Sequence, residues 1–402
     1  MKRFAQRYVE FVRQPDVAPL LAVALLARMP VGMVGFAMLM FLRESLGDFT
    51  RAGTAAGINF IAMAAVGPVI GRLIDRHGPR GPLIVTGIVQ PLALLAVLVS
   101  ARLGLPFAVV AAAAALAGMF ATPITTLTRT TWRHRFERED DRRTAFALDA
   151  VMIEINFTLG PALIALILAT AGTTVAFATA ICAVFAAFLV FLASPALRYF
   201  KRNTDARHHM LGPLTEPRLL LVFVATFGLA ICVGLLEVGY PAYATALAMA
   251  PFAGVLLAVN SLGSALGGAI FGGVHFKAPV ERQLACAMGL MAVPVLLHAV
   301  VGPPAAFAVV AFFAGALIAP AVAAQSVLVS RLAPARYATE AFTWSSAFIV
   351  SGLGTGMALG GLLVETVGLP VAFVAGSAVV GSMALLALTI SAPLATARAT
   401  AD

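Results

Sequence analysis

Long apolar runs separated by short polar turns fill almost the whole chain. The runs fall near residues 17–42, 52–71, 82–100, 106–128, 144–169 and 173–193. After a polar stretch at 194–217 they resume near 218–246, 252–273, 284–301, 305–330, 340–364 and 370–390. Each is close to or above the roughly 20 residues a helix needs to cross a hydrocarbon core of about 30 Å. In lipid a segment must satisfy its own backbone polar groups, so the pattern predicts twelve membrane-spanning helices. Ala, Gly and Val dominate the runs, and small residues let helices pack closely where lipid supplies no hydrophobic drive between them.

The pattern repeats. At a shift of 197, Gly57 and Gly71 fall on Gly254 and Gly268, and Gly118, Thr122 and Pro123 fall on Gly315, Ala319 and Pro320. At a shift of 196, Ala145 and Phe146 fall on Ala341 and Phe342, Gly160 on Gly356, and Gly172 on Gly368. A nearly constant shift argues for duplication of a six-helix unit. The expected division is 1–193 as an N-terminal half, 194–217 as a central loop and 218–402 as a C-terminal half.

Composition agrees with a polytopic membrane protein. Of 402 residues, 61% are hydrophobic and 11% charged, where a soluble chain carries about 25% charge. The net charge of +9 does not point to nucleic acid, because 23 of the 27 Lys and Arg lie on the tails and loops of one side, Arg129 included. The opposite side holds Arg43, Arg51 and Arg102, and Arg28 lies inside a span. The positive-inside rule then places both termini and the central loop in the cytoplasm. Cys182, Cys232 and Cys286 all lie within apolar runs, without metal-ligand spacing. They read as small buried hydrophobes. No nucleotide-binding loop, metal cluster or nucleophile–base constellation is visible. The expectation is a non-enzyme without metal or cofactor, driven by something other than ATP.

One polar stretch stands between the second and third spans: Gly71-Arg72-Leu73-Ile74-Asp75-Arg76-His77-Gly78-Pro79-Arg80-Gly81. It is too short to wander, so its flanking helices form a tight antiparallel hairpin. Gly71 is expected to let helices approach, and Gly78 and Pro79 to punctuate the turn. This stretch resembles the signature loop of the major facilitator superfamily. That pattern runs Gly, three residues, Asp, Arg, any residue, Gly, any residue, then two basic residues. Gly71, Asp75, Arg76, Gly78 and Arg80 fill it, while Gly81 departs from the last basic position. The second half lacks the charges, since Gly272 and Gly273 stand where Asp75 and Arg76 would repeat.

The resemblance covers essentially the whole chain. It implies an all-α integral membrane fold of twelve helices in two pseudo-symmetric halves, with the substrate site between them near the midplane. It implies that the first, fourth, seventh and tenth helices line the cavity, and that the signature loop docks on the eleventh helix. Superfamily antiporters carry a glycine-rich motif ending in Gly-Pro on the fifth helix. Here only Gly160 and Pro161 of it are present, with Asn156 in place of a glycine. The ending favours export weakly; a proline kink at a close helix contact accounts for it equally well.

A charge inside the membrane costs several kcal/mol, which makes each one a functional candidate. Arg28, Glu154, Glu237 and Asp149 are the four. The simplest arrangement pairs Arg28 with Glu154, either in the cavity or as a structural lock between two helices. Glu237 has no basic neighbour in its half, and a carboxylate neutralised by a proton rather than by a counter-charge suits a proton carrier. Asp149 lies nearer the cytoplasmic end and is expected to accept from Arg76 or Arg129, as a gate or as a plain surface pair. Asn59, Asn156, Tyr240, Tyr243, Asn260, Gln325 and Trp344 sit on helices that can reach the cavity. Each is a possible substrate contact or a helix–helix hydrogen bond. Gln90 and His298 fall on outer helices and read as structural.

Together these readings describe a monomeric, proton-coupled secondary transporter of a bacterial inner membrane. It would export small organic or drug-like molecules by alternating access. Its partners would be the substrate, protons and the bilayer, with no nucleic acid. Two alternatives stand beside export: a proton symporter or facilitator importing sugars or other small solutes, and a non-transporting receptor on the same fold.

Overall fold

The computed structural model describes residues 11–136, 138–199, 212–274, 276–334 and 338–390. Among the described residues, seven helices precede the central segment: α1 Val17–Leu26, α2 Met29–Leu46, α3 Phe49–His77, α4 Arg80–Arg102, α5 Phe107–Met119, α6 Ile124–Arg135 and α7 Glu139–Leu192. Seven follow it: α8 Pro217–Ala246, α9 Phe252–Gly273, α10 Val280–Leu297, α11 Pro304–Gly315, α12 Ile318–Leu332, α13 Ala338–Thr366 and α14 Leu369–Thr389. Two 3-10 turns, Pro195–Tyr199 and Gly212–Thr215, flank the central segment. There is no strand among the described residues, as an open sheet edge in lipid would leave backbone groups unsatisfied.

Three predicted spans are each built from two helices. The first breaks at Ala27 and Arg28, between α1 and α2, where Pro30 stands in the first turn of α2. Proline is tolerated there because that N–H would be unpaired in any case. The fourth breaks between Met119 and Ile124, and the tenth between Gly315 and Ile318. These two breaks occupy matching places in the repeat, next to Gly118 and Gly315.

The fifth and sixth spans show the reverse. α7 spans 54 residues, too many for one crossing, and is two helices joined at Gly172, whose φ of 85° and ψ of 175° are not helical. Gly368, with φ 113° and ψ 157°, makes the same turn between α13 and α14. Such φ values are open to glycine and strained for other residues. The eleven stretches long and apolar enough to span are therefore twelve crossings, with Val151–Leu192 holding two.

Two seams join the halves. α3 and α13 make the most extensive helix pair in the molecule. A Cβ added at Gly53, Gly57 or Gly361 would collide with the carbonyl of Met357, Gly354 or Phe49 respectively. In the second seam, Gly254 of α9 lies against Ala165 and the Pro161 carbonyl of α7. There Ser261 Oγ donates to the Phe157 carbonyl at 3.0 Å.

The α3–α13 contacts lie on the side away from the signature turn. On the turn side, a Cβ at Gly71, Gly272 or Gly273 would meet nothing within 4 Å. The tight glycine contacts between the halves thus gather toward the end away from the signature turn. This corrects the expectation for Gly71: it faces open space, because α3 has left its partner by that level.

Candidate functional site

Two helix breaks and one carboxylate build the charged centre. Arg28 sits at the α1–α2 junction and is almost fully buried, 1% exposed. Its Nη1 donates to Asp149 Oδ1 at 2.5 Å and its Nη2 to the Thr125 carbonyl at 3.3 Å. Trp132 Nε1 donates to the same Oδ1 at 3.0 Å, and Arg129 Nε lies 3.5 Å from Oδ2. Asp149 of α7 therefore gathers groups from the first and fourth spans. A buried carboxylate with two guanidiniums and an indole donor is well compensated, which a lone buried charge would not be.

The partner of Arg28 differs from the expected Glu154, and helix length explains why. α2 alone has 18 residues, roughly 27 Å of rise, close to a full hydrocarbon thickness. Arg28, just ahead of it, lies toward the turn side at the level of Asp149 rather than at mid-span. The side chain of Glu154 lies outside the described residues, as does that of Asp75. Trp132 escaped sequence reading, although a buried indole N–H usually needs a partner and α6 is otherwise polar.

In the signature turn, α3 ends at Gly78, whose φ is 88° and whose N–H donates to the Ile74 carbonyl at 2.8 Å. Arg76, His77 and Arg80 are exposed. On α7, Gly160 packs against the backbone of Gly32. The residue of α7 that departs from helical geometry is Gly172, not Pro161.

Most of the neutral candidates are bound to the protein's own groups. Asn59 Nδ2 donates to the Ala114 carbonyl at 2.9 Å, while its own carbonyl lies over Gly118. Asn260 Nδ2 donates to the Ala311 carbonyl at 3.0 Å, and its carbonyl lies over Gly315. The two asparagines are the same device, repeated in each half. Asn260 also donates to Tyr240 Oη at 3.2 Å. Tyr240 is fully buried against His298, Phe307 and Phe373. Tyr243 stacks on Phe307 with centroids 3.7 Å apart and donates to the Gly302 carbonyl at 2.5 Å. Gln325 Nε2 donates to Ser345 Oγ at 2.6 Å. Trp344 meets Phe348 edge-on.

The two outer-helix residues also bond locally, although the buried Nε2 of His298 has no hydrogen-bond partner among the described residues. Gln90 Oε1 accepts from the Thr122 amide at 2.9 Å and from Thr122 Oγ1 at 3.0 Å, which steadies the break in the fourth span. His298 Nδ1 lies 2.8 Å from the Pro294 carbonyl.

Besides Arg28, whose Nε is buried without a partner, two candidates keep polar atoms unspent. Asn156 is buried with neither amide atom hydrogen-bonded, beside Gly32 of α2. Glu237, past the middle of α8, is half-buried. No described side chain hydrogen-bonds or ion-pairs with its carboxylate. One residue stands in each half.

A broken first span, paired halves and intramembrane charges are features of a membrane transporter. The family model described as Major Facilitator Superfamily matches residues 20–304, and the chain belongs to that superfamily. The protein is a multi-pass membrane transporter. Among solved structures, that of a mutant of the nucleoside transporter NupG is similar, with a TM-score of 0.74 and 11% identity over 93% of this chain and 99% of that one. At that identity the likeness is one of fold. No curated protein matches the chain.

Proposed function

We propose that the protein is a proton-coupled secondary transporter that exports small organic molecules across a bacterial inner membrane. The observation that carries the reading is Glu237, a carboxylate within a membrane span that no described side chain neutralises. A coupled exporter needs one carboxylate that gains and loses a proton as access alternates. Asp149 is committed to three donors and is the weaker candidate. Glu154 is the competitor.

The bias of Lys and Arg puts the signature turn and both termini in the cytoplasm. The tight glycine contacts between the halves then lie toward the outer side, an arrangement ready to take up substrate from inside. Asn156 and Glu237, one in each half, offer polar atoms to it. No metal or organic cofactor enters the scheme; the proton gradient supplies the energy.

A second reading is proton symport or facilitated import of a small solute; the likeness to a structure described as a nucleoside transporter adds nucleosides to the compounds worth testing. One experiment decides between them. The purified protein is reconstituted in liposomes and tested on a compound panel, nucleosides included, with and without an imposed pH gradient. Export predicts uphill transport opposite to the proton flow, and Glu237→Gln is expected to abolish it while keeping downhill exchange. Transport along the proton flow would establish symport. Unimpaired uphill transport by Glu237→Gln would move the proton site to Glu154 or Asp149.

A further inference from the structure

Below the signature turn, α3, α4 and α5 line an open cavity of about 350 Å³, within the size range of small-ligand pockets. It exists because the fourth span breaks. Higher up, α5 packs on α3 through Asn59 and Gly118. Past Met119 the chain leaves α3, and nothing refills the space. Ile70 and Leu73 of α3, Val85 of α4 and Met119 of α5 form apolar walls. The Thr86 hydroxyl is already spent on the Pro82 carbonyl at 2.9 Å. The interior thus has no free polar group for a polar solute, and it suits a hydrocarbon chain.

The mouth is different. His77 and Gly81 line it, and their chain neighbours Arg76 and Arg80 are exposed. Neither guanidinium has a hydrogen-bond or ion-pair partner in the described structure. A turn between two spans lies at headgroup level, where basic groups beside a gap between helices attract anionic headgroups. Gly81 completes the picture. It replaces the last basic residue of the signature pattern, and a Cβ there would meet nothing within 4 Å. A long basic side chain at that position would lie across the mouth; glycine leaves it open.

We infer that this cavity binds one anionic phospholipid, an acyl chain between α3, α4 and α5 and the phosphate on Arg76 and Arg80. Hydrocarbon walls and a cationic rim match the two ends of such a molecule, and neither a free phosphate nor a neutral lipid meets both.

The test uses the purified full-length protein, with native mass spectrometry and titration against phosphatidylglycerol, phosphatidylcholine and oleic acid. One phosphatidylglycerol is expected to be retained per chain, with phosphatidylcholine at least tenfold weaker. Arg76→Gln and Arg80→Gln should each weaken phosphatidylglycerol roughly fivefold and leave phosphatidylcholine unchanged. Gly81→Phe should block the cavity. A photoactivatable phosphatidylglycerol on the unaltered protein gives a readout that no variant's folding can disturb, and its label should fall within residues 66–86 or on Met119 and Phe120. Equal retention of phosphatidylcholine would overturn the inference. So would oleic acid binding as tightly as phosphatidylglycerol, binding indifferent to all three substitutions, or label confined to other segments.

Discussion

The Glu365 carboxylate accepts a hydrogen bond from the Phe49 amide at 2.7 Å, so the eleventh span caps the second across the boundary between halves. The first turn of a helix has amides with no partner in the helix itself. In α3 the Arg51 amide is satisfied locally by Asp48 at 2.6 Å. The Phe49 amide is satisfied by the other half of the molecule. Thr50 adds a bond to the Gly361 carbonyl at 3.3 Å.

Glu365→Ala should therefore loosen this end of the α3–α13 seam. Loss of a cap costs about 1 kcal/mol, roughly a fivefold change in the population open at that end. A cysteine placed at Ala358, which lies against Gly57, reports it in a background free of the native cysteines. Maleimide labelling from that side should rise severalfold in the variant. An unchanged rate would show that the bond does not hold the seam closed.

Asp149→Asn should destabilise the protein more than any substitution of an exposed charge. Removing one member of a buried ion pair costs about 3–5 kcal/mol, because the other is left uncompensated. The double variant Arg28→Met with Asp149→Asn should lose less than the sum of the singles, by roughly 1–3 kcal/mol. Thermal unfolding in detergent measures all three. Additive losses would mean that the two side chains do not act as a pair.

Gly118→Ala and Gly315→Ala should fail in the same way and by similar amounts. In each, the new methyl group would collide with a backbone carbonyl, that of Asn59 or Asn260. Overpacking of this kind costs about 1–3 kcal/mol. Melting temperatures should drop alike for both, with Asn59→Ala and Asn260→Ala falling less steeply. Tolerance of one glycine substitution and not the other would break the equivalence of the two halves.

Alkaline pH should act on Tyr199, which lies outside the spans. Its hydroxyl donates to Asp16 Oδ2 at 2.7 Å, and that bond, followed by partial burial, raises the phenol above its ordinary 10.0. A proton held more tightly in the folded state lends stability that is complete below the unfolded value and is lost as pH rises through the folded one. The contribution is flat near neutrality and declines above pH about 10. Tyr199→Phe should lower the melting temperature slightly at pH 7 and show a shallower alkaline decline than the parent. Parallel curves for the two proteins would show that the bond does not form in solution.

The twelve crossings were legible because apolar length and the internal shift are properties of the sequence alone. Gly172 and Gly368 stood out by the same shift that their matched turns obey. The helix breaks were not read, although Pro30 and Pro123 stand where new helices start, because a run such as 17–42 stays apolar through Ala27 and its length alone suggests one helix. That one break misplaced Arg28 by several residues of depth and gave it Glu154 as a partner instead of Asp149. The asparagine device was hidden for another reason. Asn59 and Asn260 are 201 positions apart, while the glycines beneath them are 197 apart. A displacement of one helical turn defeats alignment by shift yet keeps the residues on the same face.

The seam between α3 and α13 is built largely from glycine backbone and carbonyls, with Ala358 against Gly57 and Phe60 and Ile61 against Gly354. Surfaces of that kind interlock little. Few long side chains have to be withdrawn when they part, and few have to find a rotamer when they close. The two halves can roll against each other as smooth cylinders, and the resistance to motion is concentrated in a few polar contacts at the rim, where one substitution can tune it.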